Sequence, residues 1–117
     1  MNISRKQYEV DATGQVLGRL ASDIAKHLIG KTNTNFLSHV DAGDDVVVKN
    51  VQSMVVTGKK MAQKVYHHHT GHPGGLRTKT LASLWAESPE KVLRAAVSRM
   101  LPKNKHRTAR MLRLTIK

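Results

Sequence analysis

The chain has 117 residues and a mass of 13.0 kDa, which predicts one compact domain over residues 1–117. Its 20 Lys and Arg against 8 Asp and Glu give a formal net charge of +12, which indicates a polyanionic partner, nucleic acid in preference to a membrane surface. The absence of cysteine excludes disulfides and thiolate metal sites, and the short apolar runs predict no membrane-spanning helix. Residues 1–6 are polar, so no secretory leader is expected and a cytoplasmic location is favoured.

The N-terminal half predicts an α/β unit. Tyr8–Val10 is typical of a short strand, and apolar residues spaced three and four apart predict a helix from Val16 to Ile29, with Gly30 at its left-handed C-cap. The β-branched run Asp45–Val48 predicts a strand covered on both faces, and Met54–Gly58 predicts another. Strand, helix, strand in this order indicates mixed α/β architecture.

The C-terminal half is less regular. Lys59–Lys79 is interpreted as a long functional loop, with room for a short hairpin. A short helix is predicted around Leu81–Trp85, and a further helix from Pro89 to Met100. A helical turn at Thr108–Leu112 and a last strand at Leu114–Ile116 follow. The residues expected to form the core are Leu17, Leu20, Ile24, Leu28, Val46, Val47, Val48, Val55 and Val97.

The stretch from Lys91 to the end has no acidic residue, and we therefore expect its cations to lack carboxylate partners. One interpretation is a solvated positive face; the other, which we favour, is phosphate binding. The cations in question are Lys103, Lys105, Arg107, Arg110 and Arg113.

Four histidines lie close together in the middle of the chain, at positions 67, 68, 69 and 72. A transition-metal site using His72 with His68 or His69 is one hypothesis, but neighbouring glycines and a proline disfavour the helix that would align the rings. A purely structural loop is a second. The third is contact with RNA phosphate or sugar, because glycines let the main chain approach closely.

Catalysis is the alternative from another functional class. Gly14–Arg19 imitates a phosphate-binding turn, yet it lacks the third glycine of a dinucleotide fingerprint and the lysine of a P-loop. His39–Asp44 offers a histidine and two carboxylates without a nucleophile or metal set. We therefore expect no enzyme activity, no cofactor and no small-molecule substrate.

Five segments carry a resemblance to a known family. They are Val10-Asp11-Ala12 with Leu17-Gly18-Arg19-Leu20-Ala21, His39-Val40-Asp41-Ala42-Gly43-Asp44, Val56-Thr57-Gly58 with Lys60, Lys64-Val65-Tyr66 with His69-Thr70-Gly71-His72-Pro73-Gly74-Gly75, and Met100-Leu101-Pro102-Lys103-Asn104. In this order the chain resembles the bacterial ribosomal protein L13 family of the large subunit, from Tyr8 onward, with a C-terminus shorter than is usual there.

The resemblance implies a three-layer α/β/α domain with a small, mainly parallel four-stranded sheet and a basic loop and tail. It also implies a structural constituent of the large ribosomal subunit that binds its rRNA, meets neighbouring ribosomal proteins, and assists early assembly without catalysis. By position, it implies RNA contacts at Arg19, Lys60, the His69–Gly75 loop and the Met100–Asn104 turn.

Together, charge and resemblance predict one set of RNA-binding residues. The set is Arg19, Lys59, Lys60, Lys64, His68, His69, His72, Gly74, Arg77, Arg99, Lys103, Asn104, Lys105, Arg107, Arg110 and Arg113.

Overall fold

The computed structural model describes residues 5–34 and 36–117, so part of the polar segment at residues 1–6 lies outside the described residues. The elements in chain order are β1 (Gln7–Asp11), α1 (Leu17–Ile29), β2 (Asp45–Lys49), a 3₁₀ turn (Val51–Ser53), α2 (Lys60–Gln63), β3 (Val65–His69), β4 (Leu76–Thr80), α3 (Leu81–Glu87), α4 (Pro89–Met100), α5 (His106–Leu112) and β5 (Leu114–Ile116). The predicted mixed α/β architecture is confirmed.

Three strands form a parallel sheet in the order β1-β2-β5, with β2 at the centre. Val46 lies between Tyr8 and Leu114, and because side chains alternate along a strand, these three residues share one face. This face packs onto the core. Helices α1, α3, α4 and α5 all contribute side chains to that same core cluster.

The opposite face of the sheet is open over the described residues. Glu9, Lys49 and Thr115 are exposed there, and Val47 is the one buried side chain that β2 places on this face. The predicted third layer of helices is therefore not seen in residues 5–34 and 36–117. The sequence reason is that β1 and β5 carry polar residues at the positions that would have to be apolar to bury this face.

The prediction of a four-stranded sheet is wrong. Val55 makes a single parallel bridge to Val16, in which its N–H donates to the Gln15 carbonyl at 2.9 Å. The pairing is limited to one bridge because Val16 is followed directly by α1, which begins at Leu17, and because the 3₁₀ turn Val51–Ser53 ends just before Met54. Val55 is 42% exposed, so its assignment to the core is wrong as well.

Helices α1 and α4 enclose the centre of the core, as their apolar spacing predicts. Leu20, Ile24 and Leu28 of α1 have no exposed surface, and neither does Val97 of α4. Gly30 ends α1 in the left-handed conformation at φ 93°, and its N–H donates to the Lys26 carbonyl at 3.0 Å. No helix in the described part of the chain is long and apolar enough to cross a membrane.

The segment expected as a loop at Lys59–Lys79 is largely ordered. After the single turn of α2, strands β3 and β4 pair antiparallel as a hairpin, the form that the sequence analysis allowed. Nearly all of its residues are exposed. The radius of gyration, 15.7 Å, exceeds the roughly 13 Å expected of a compact chain of this length, which fits a hairpin that extends from the body of the protein.

Candidate nucleic-acid interface

Tyr66 joins two predicted RNA-binding residues that are far apart in the sequence. The Arg99 guanidinium carbon lies 5.2 Å from the Tyr66 ring centroid and the Lys64 Nζ lies 5.7 Å from it, both within cation–π range. Burial raises the pKa of Tyr66, and the Arg99 charge opposes this rise only partly. The phenol therefore stays neutral while its ring fixes the end of α4 against the base of the hairpin.

We call the exposed residues of this region the hairpin cluster. Its members are Lys59, Lys60, Lys64, His68, His69, His72, Gly74, Arg77 and Arg99. Helix α2 begins beside Lys59 and Lys60, while Arg77 lies directly across the hairpin from His68. All nine were predicted from the sequence as RNA-binding residues, and the fold groups them on or beside the hairpin.

Two of the histidines are used within the hairpin turn. His69 Nδ1 accepts a hydrogen bond from the Gly71 N–H at 2.9 Å, and His72 Nδ1 donates to the Pro73 carbonyl at the same distance. Gly71 and Gly74 have positive φ values, which glycine adopts without steric cost. Within residues 5–34 and 36–117, no three His, Asp or Glu side chains come together in a way that could hold a metal ion.

A second group, the tail cluster, lies in the turn between α4 and α5 and at the start of α5. It consists of Lys103, Asn104 and Lys105, which are exposed, and Arg107, which is half-buried. The Asn104 Oδ1 accepts the His106 N–H at 3.0 Å and so fixes the start of α5. Lys103 comes four positions after Arg99, so their Cα atoms lie within about 14 Å of each other and the two clusters are neighbours.

The remaining predicted cation, Arg19, is exposed on α1. It completes a set of nine Lys and Arg in the interface that have no carboxylate within ion-pair distance among the described residues: Arg19, Lys59, Lys60, Lys64, Arg77, Arg99, Lys103, Lys105 and Arg107. Four carboxylates, those of Glu9, Asp41, Glu87 and Glu90, pair with other cations, namely Lys49, Lys79, Lys91, Arg94, Arg110 and Arg113. The interface that contains the nine unpaired cations is therefore positively charged.

Arg110 and Arg113 do not belong to this exposed surface. The Arg113 guanidinium forms two hydrogen bonds to the Asp41 carboxylate, at 2.7 and 2.8 Å, and the Arg110 Nε contacts the same carboxylate at 3.3 Å. The Arg110 and Arg113 side chains are only 2% and 11% exposed. The expectation that they lack acidic partners is wrong, and Arg110 offers no surface for direct contact with RNA.

These three residues form a group that we call the Asp41 clasp, in which Arg110 is buried and Asp41 and Arg113 are largely buried. Arg113 also donates to the Leu28 carbonyl at 2.8 Å, so the clasp joins the end of α1 to the segment that leads into β5. Burial acts to raise the pKa of Asp41, but the hydrogen bonds and charges of Arg113 and Arg110 outweigh it and hold this pKa below its ordinary value of 3.8. The carboxylate is ionised in the folded protein.

The clasp predicts a specific loss of stability in acid. Because the pKa of Asp41 is lower in the folded state, its contribution is fully present above about pH 4 and is lost as the pH falls through the folded value. We expect the free energy of unfolding of the natural protein to fall more steeply below pH 4 than that of Asp41→Asn. Urea unfolding of both proteins between pH 2.5 and 6 measures this difference; parallel curves would contradict it.

The loop at residues 39–44, considered above for acid–base chemistry, has a structural role. Gly43 accepts a hydrogen bond from Arg5 Nη1 through its carbonyl at 2.7 Å, and the buried Asp44 donates its N–H to the His27 carbonyl at 2.9 Å. The two carboxylates of this loop have separate partners: Asp41 binds Arg113, and Asp44 accepts the backbone N–H of Lys6. They therefore do not form an acid–base pair.

The glycine turn before α1 is not a phosphate site. The Leu17 N–H donates to the Val55 carbonyl at 3.0 Å and is therefore not free to bind a phosphate.

Sequence reasoning missed Tyr66 and Leu84 as interface residues. Both line a groove beside the hairpin. The available signal for Tyr66 was an aromatic residue two positions after Lys64 and directly before three histidines. Nothing in the sequence places Leu84 there, because α3 and the hairpin meet only in three dimensions.

Fold and surface together define a small, strongly basic α/β protein in which eight cations without carboxylate partners among the described residues are grouped in two neighbouring clusters, one on and beside the hairpin and one around the start of α5. A family model described as "Ribosomal protein L13" matches residues 5–116. The chain belongs to the ribosomal protein L13 family.

Individual relatives agree with this assignment. The large ribosomal subunit protein uL13 of Syntrophus aciditrophicus is 52% identical over 102 residues, covering 87% of this chain and 72% of the relative. The proteins of the same name from Thermotoga petrophila and Clostridioides difficile are each 49% identical, covering 97% and 98% of this chain and 76% and 80% of the relatives.

Proposed function

We propose that this chain is a structural, non-catalytic constituent of the large ribosomal subunit, which binds large-subunit rRNA through the hairpin and tail clusters and assists early assembly. Membership of the ribosomal protein L13 family and the names of its relatives support the placement in the large subunit. The same proposal places the chain in the cytoplasm, as part of the ribosome, and gives it neighbouring ribosomal proteins as further partners.

The observation that carries the RNA-binding proposal is the set of nine cations without carboxylate partners. On a chain of net charge +12, such cations repel one another unless an external polyanion neutralises them. Eight of them lie in the hairpin and tail clusters, which are neighbours on the folded protein, and Arg19 lies on α1. Phosphate contacts of this kind position a protein on folded RNA without reading its sequence.

The arrangement also supports a role in assembly. Tyr66 fixes Arg99 and Lys64 in one place, and Asn104 fixes the start of α5, so the two clusters keep a constant spacing. A protein with two rigidly spaced cationic clusters can neutralise two RNA segments at once. Lowering their mutual repulsion lets those segments pack together, which is the proposed contribution to early assembly.

Charge reversal in the tail cluster tests the proposal. We expect Lys103→Glu/Lys105→Glu/Arg107→Glu to weaken binding to purified bacterial large-subunit rRNA strongly while lowering the melting temperature little. If all three cations meet phosphates, the slope of log K against log salt becomes shallower by about two. Filter binding over a range of salt concentrations and thermal unfolding measure the two effects.

A matched variant controls for net charge. Lys26→Glu/Lys31→Glu/Lys117→Glu makes the same change in charge at exposed positions outside both clusters. We expect it to retain most of the affinity. Equal loss of binding by both variants, or loss of the fold in the tail variant, would count against the proposed interface.

A further inference from the structure

A groove runs beside the hairpin, between its strands and α3. Because His68 lies opposite Arg77 and Tyr66 opposite Lys79, these four side chains share one face of the hairpin. With His67 and Leu84 they line a cavity of about 410 Å³. This volume falls within the range of small-ligand pockets, about 300–1,000 Å³.

The lining combines apolar and cationic chemistry. Leu84 and Tyr66 both pack against the core and supply a firm, mainly apolar wall. Lys79 is paired with Glu87 at 3.1 Å, whereas Arg77 has no carboxylate within ion-pair distance among the described residues. An inorganic phosphate would use Arg77 alone. A group with an apolar face and an attached anion would contact both the apolar wall and Arg77.

A nucleotide within an RNA strand has this chemistry. Imidazole rings and guanidinium planes are common stacking partners of unpaired RNA bases, and His68 and Arg77 supply one of each. Tyr66 already holds two cations against its ring, and the His67 ring contacts Thr78 Oγ1 at 3.2 Å on the other face of the hairpin. His68 is therefore the aromatic side chain of the groove that remains for a base. A paired base inside a duplex could not present its face to such a groove.

We propose that this groove binds one unpaired nucleobase of an RNA strand, with the base between His68 and the Leu84 wall and its phosphate at Arg77. The proposal rests on the RNA binding proposed above. It adds that the RNA is single-stranded at this point and that one contact is stacking, although aromatic residues make up only 3% of the chain.

The test uses a single-stranded RNA of about twelve nucleotides with 2-aminopurine at its centre, and a duplex of the same length. We expect the full-length protein to quench the fluorescence of the single strand and to bind it more tightly than the duplex. His68→Gln should weaken this binding about tenfold, in the range measured for loss of one stacked base. His39→Gln changes an exposed histidine outside the groove and outside both clusters, and it should leave this binding unchanged.

The outcomes separate the two proposals. If neither RNA binds in low salt, the RNA-binding function itself fails. If both RNAs bind with a steep salt dependence, the groove proposal alone is overturned by any one of three results: the duplex binds as tightly as the single strand, the fluorescence does not change, or His68→Gln behaves like His39→Gln. Circular dichroism of both variants confirms that each is folded.

Discussion

Asp41→Asn is expected to lower the free energy of unfolding by about 3–5 kcal/mol, the range measured when one partner of a buried ion pair is removed. The substitution keeps the size of the side chain but leaves two guanidinium groups without a counterion, and the Arg110 side chain is only 2% exposed. Neither arginine can recover hydration without opening the contact between α1 and α5. Urea unfolding at pH 7 measures the change.

Glu87→Gln is the matched control for Asp41→Asn. Glu87 also contacts two cations, Lys79 at 3.1 Å and Lys91 at 2.6 Å, but all three side chains are exposed. Solvent and salt screen such pairs, so we expect almost no change in stability. If Asp41→Asn proved as mild as Glu87→Gln, the clasp would not be a stabilising element.

Gly43→Ala is expected to destabilise the protein by about 3 kcal/mol, at the upper end of the range for inserting atoms into a packed region. A Cβ at this position would overlap the backbone carbonyl of Leu28 and would lie 2.9 Å from the Nη2 of Arg113. That carbonyl is the one that Arg113 binds. The methyl group therefore displaces the clasp, and thermal or urea unfolding should show the loss.

Gly18→Ala separates this steric effect from the general effect of replacing glycine. Gly18 lies in α1, and a Cβ there would meet no atom within 4 Å. Because alanine favours a helix over glycine by up to about 1 kcal/mol, we expect Gly18→Ala to be neutral or slightly stabilising. A similar loss of stability in both variants would remove the argument for close packing at Gly43.

Elements with a strong local pattern were predictable from the sequence. The helix at Leu17–Ile29 follows from apolar spacing and a terminal glycine, and the helix at Pro89–Met100 follows from a proline at its start and a buried stripe. The sheet was less predictable, because valines at Met54–Gly58 look like a strand whether they pair over five residues or at Val55 alone. The number of paired residues depends on neighbouring strands, which a local pattern does not contain.

The candidate interface was also predictable only where the local sequence decides the outcome. Exposed cations without partners could be predicted at Lys103 and Lys105, since no acidic residue lies near them in the sequence. The same reasoning failed for Arg113, whose partner Asp41 is 72 residues away along the chain. A deficit of acids nearby in the sequence does not exclude a carboxylate that folding brings from far away.

The position of β5 has a consequence for when this protein can fold during translation. β5 pairs with β2, the middle strand of the sheet, and Arg110 and Arg113 supply the counterions of Asp41. Until residues 110–116 have been synthesised, a nascent chain has an open edge on its central strand and a carboxylate that is costly to bury. The residues before position 110 therefore cannot reach their final packing ahead of that segment, and contacts of such long sequence separation slow folding.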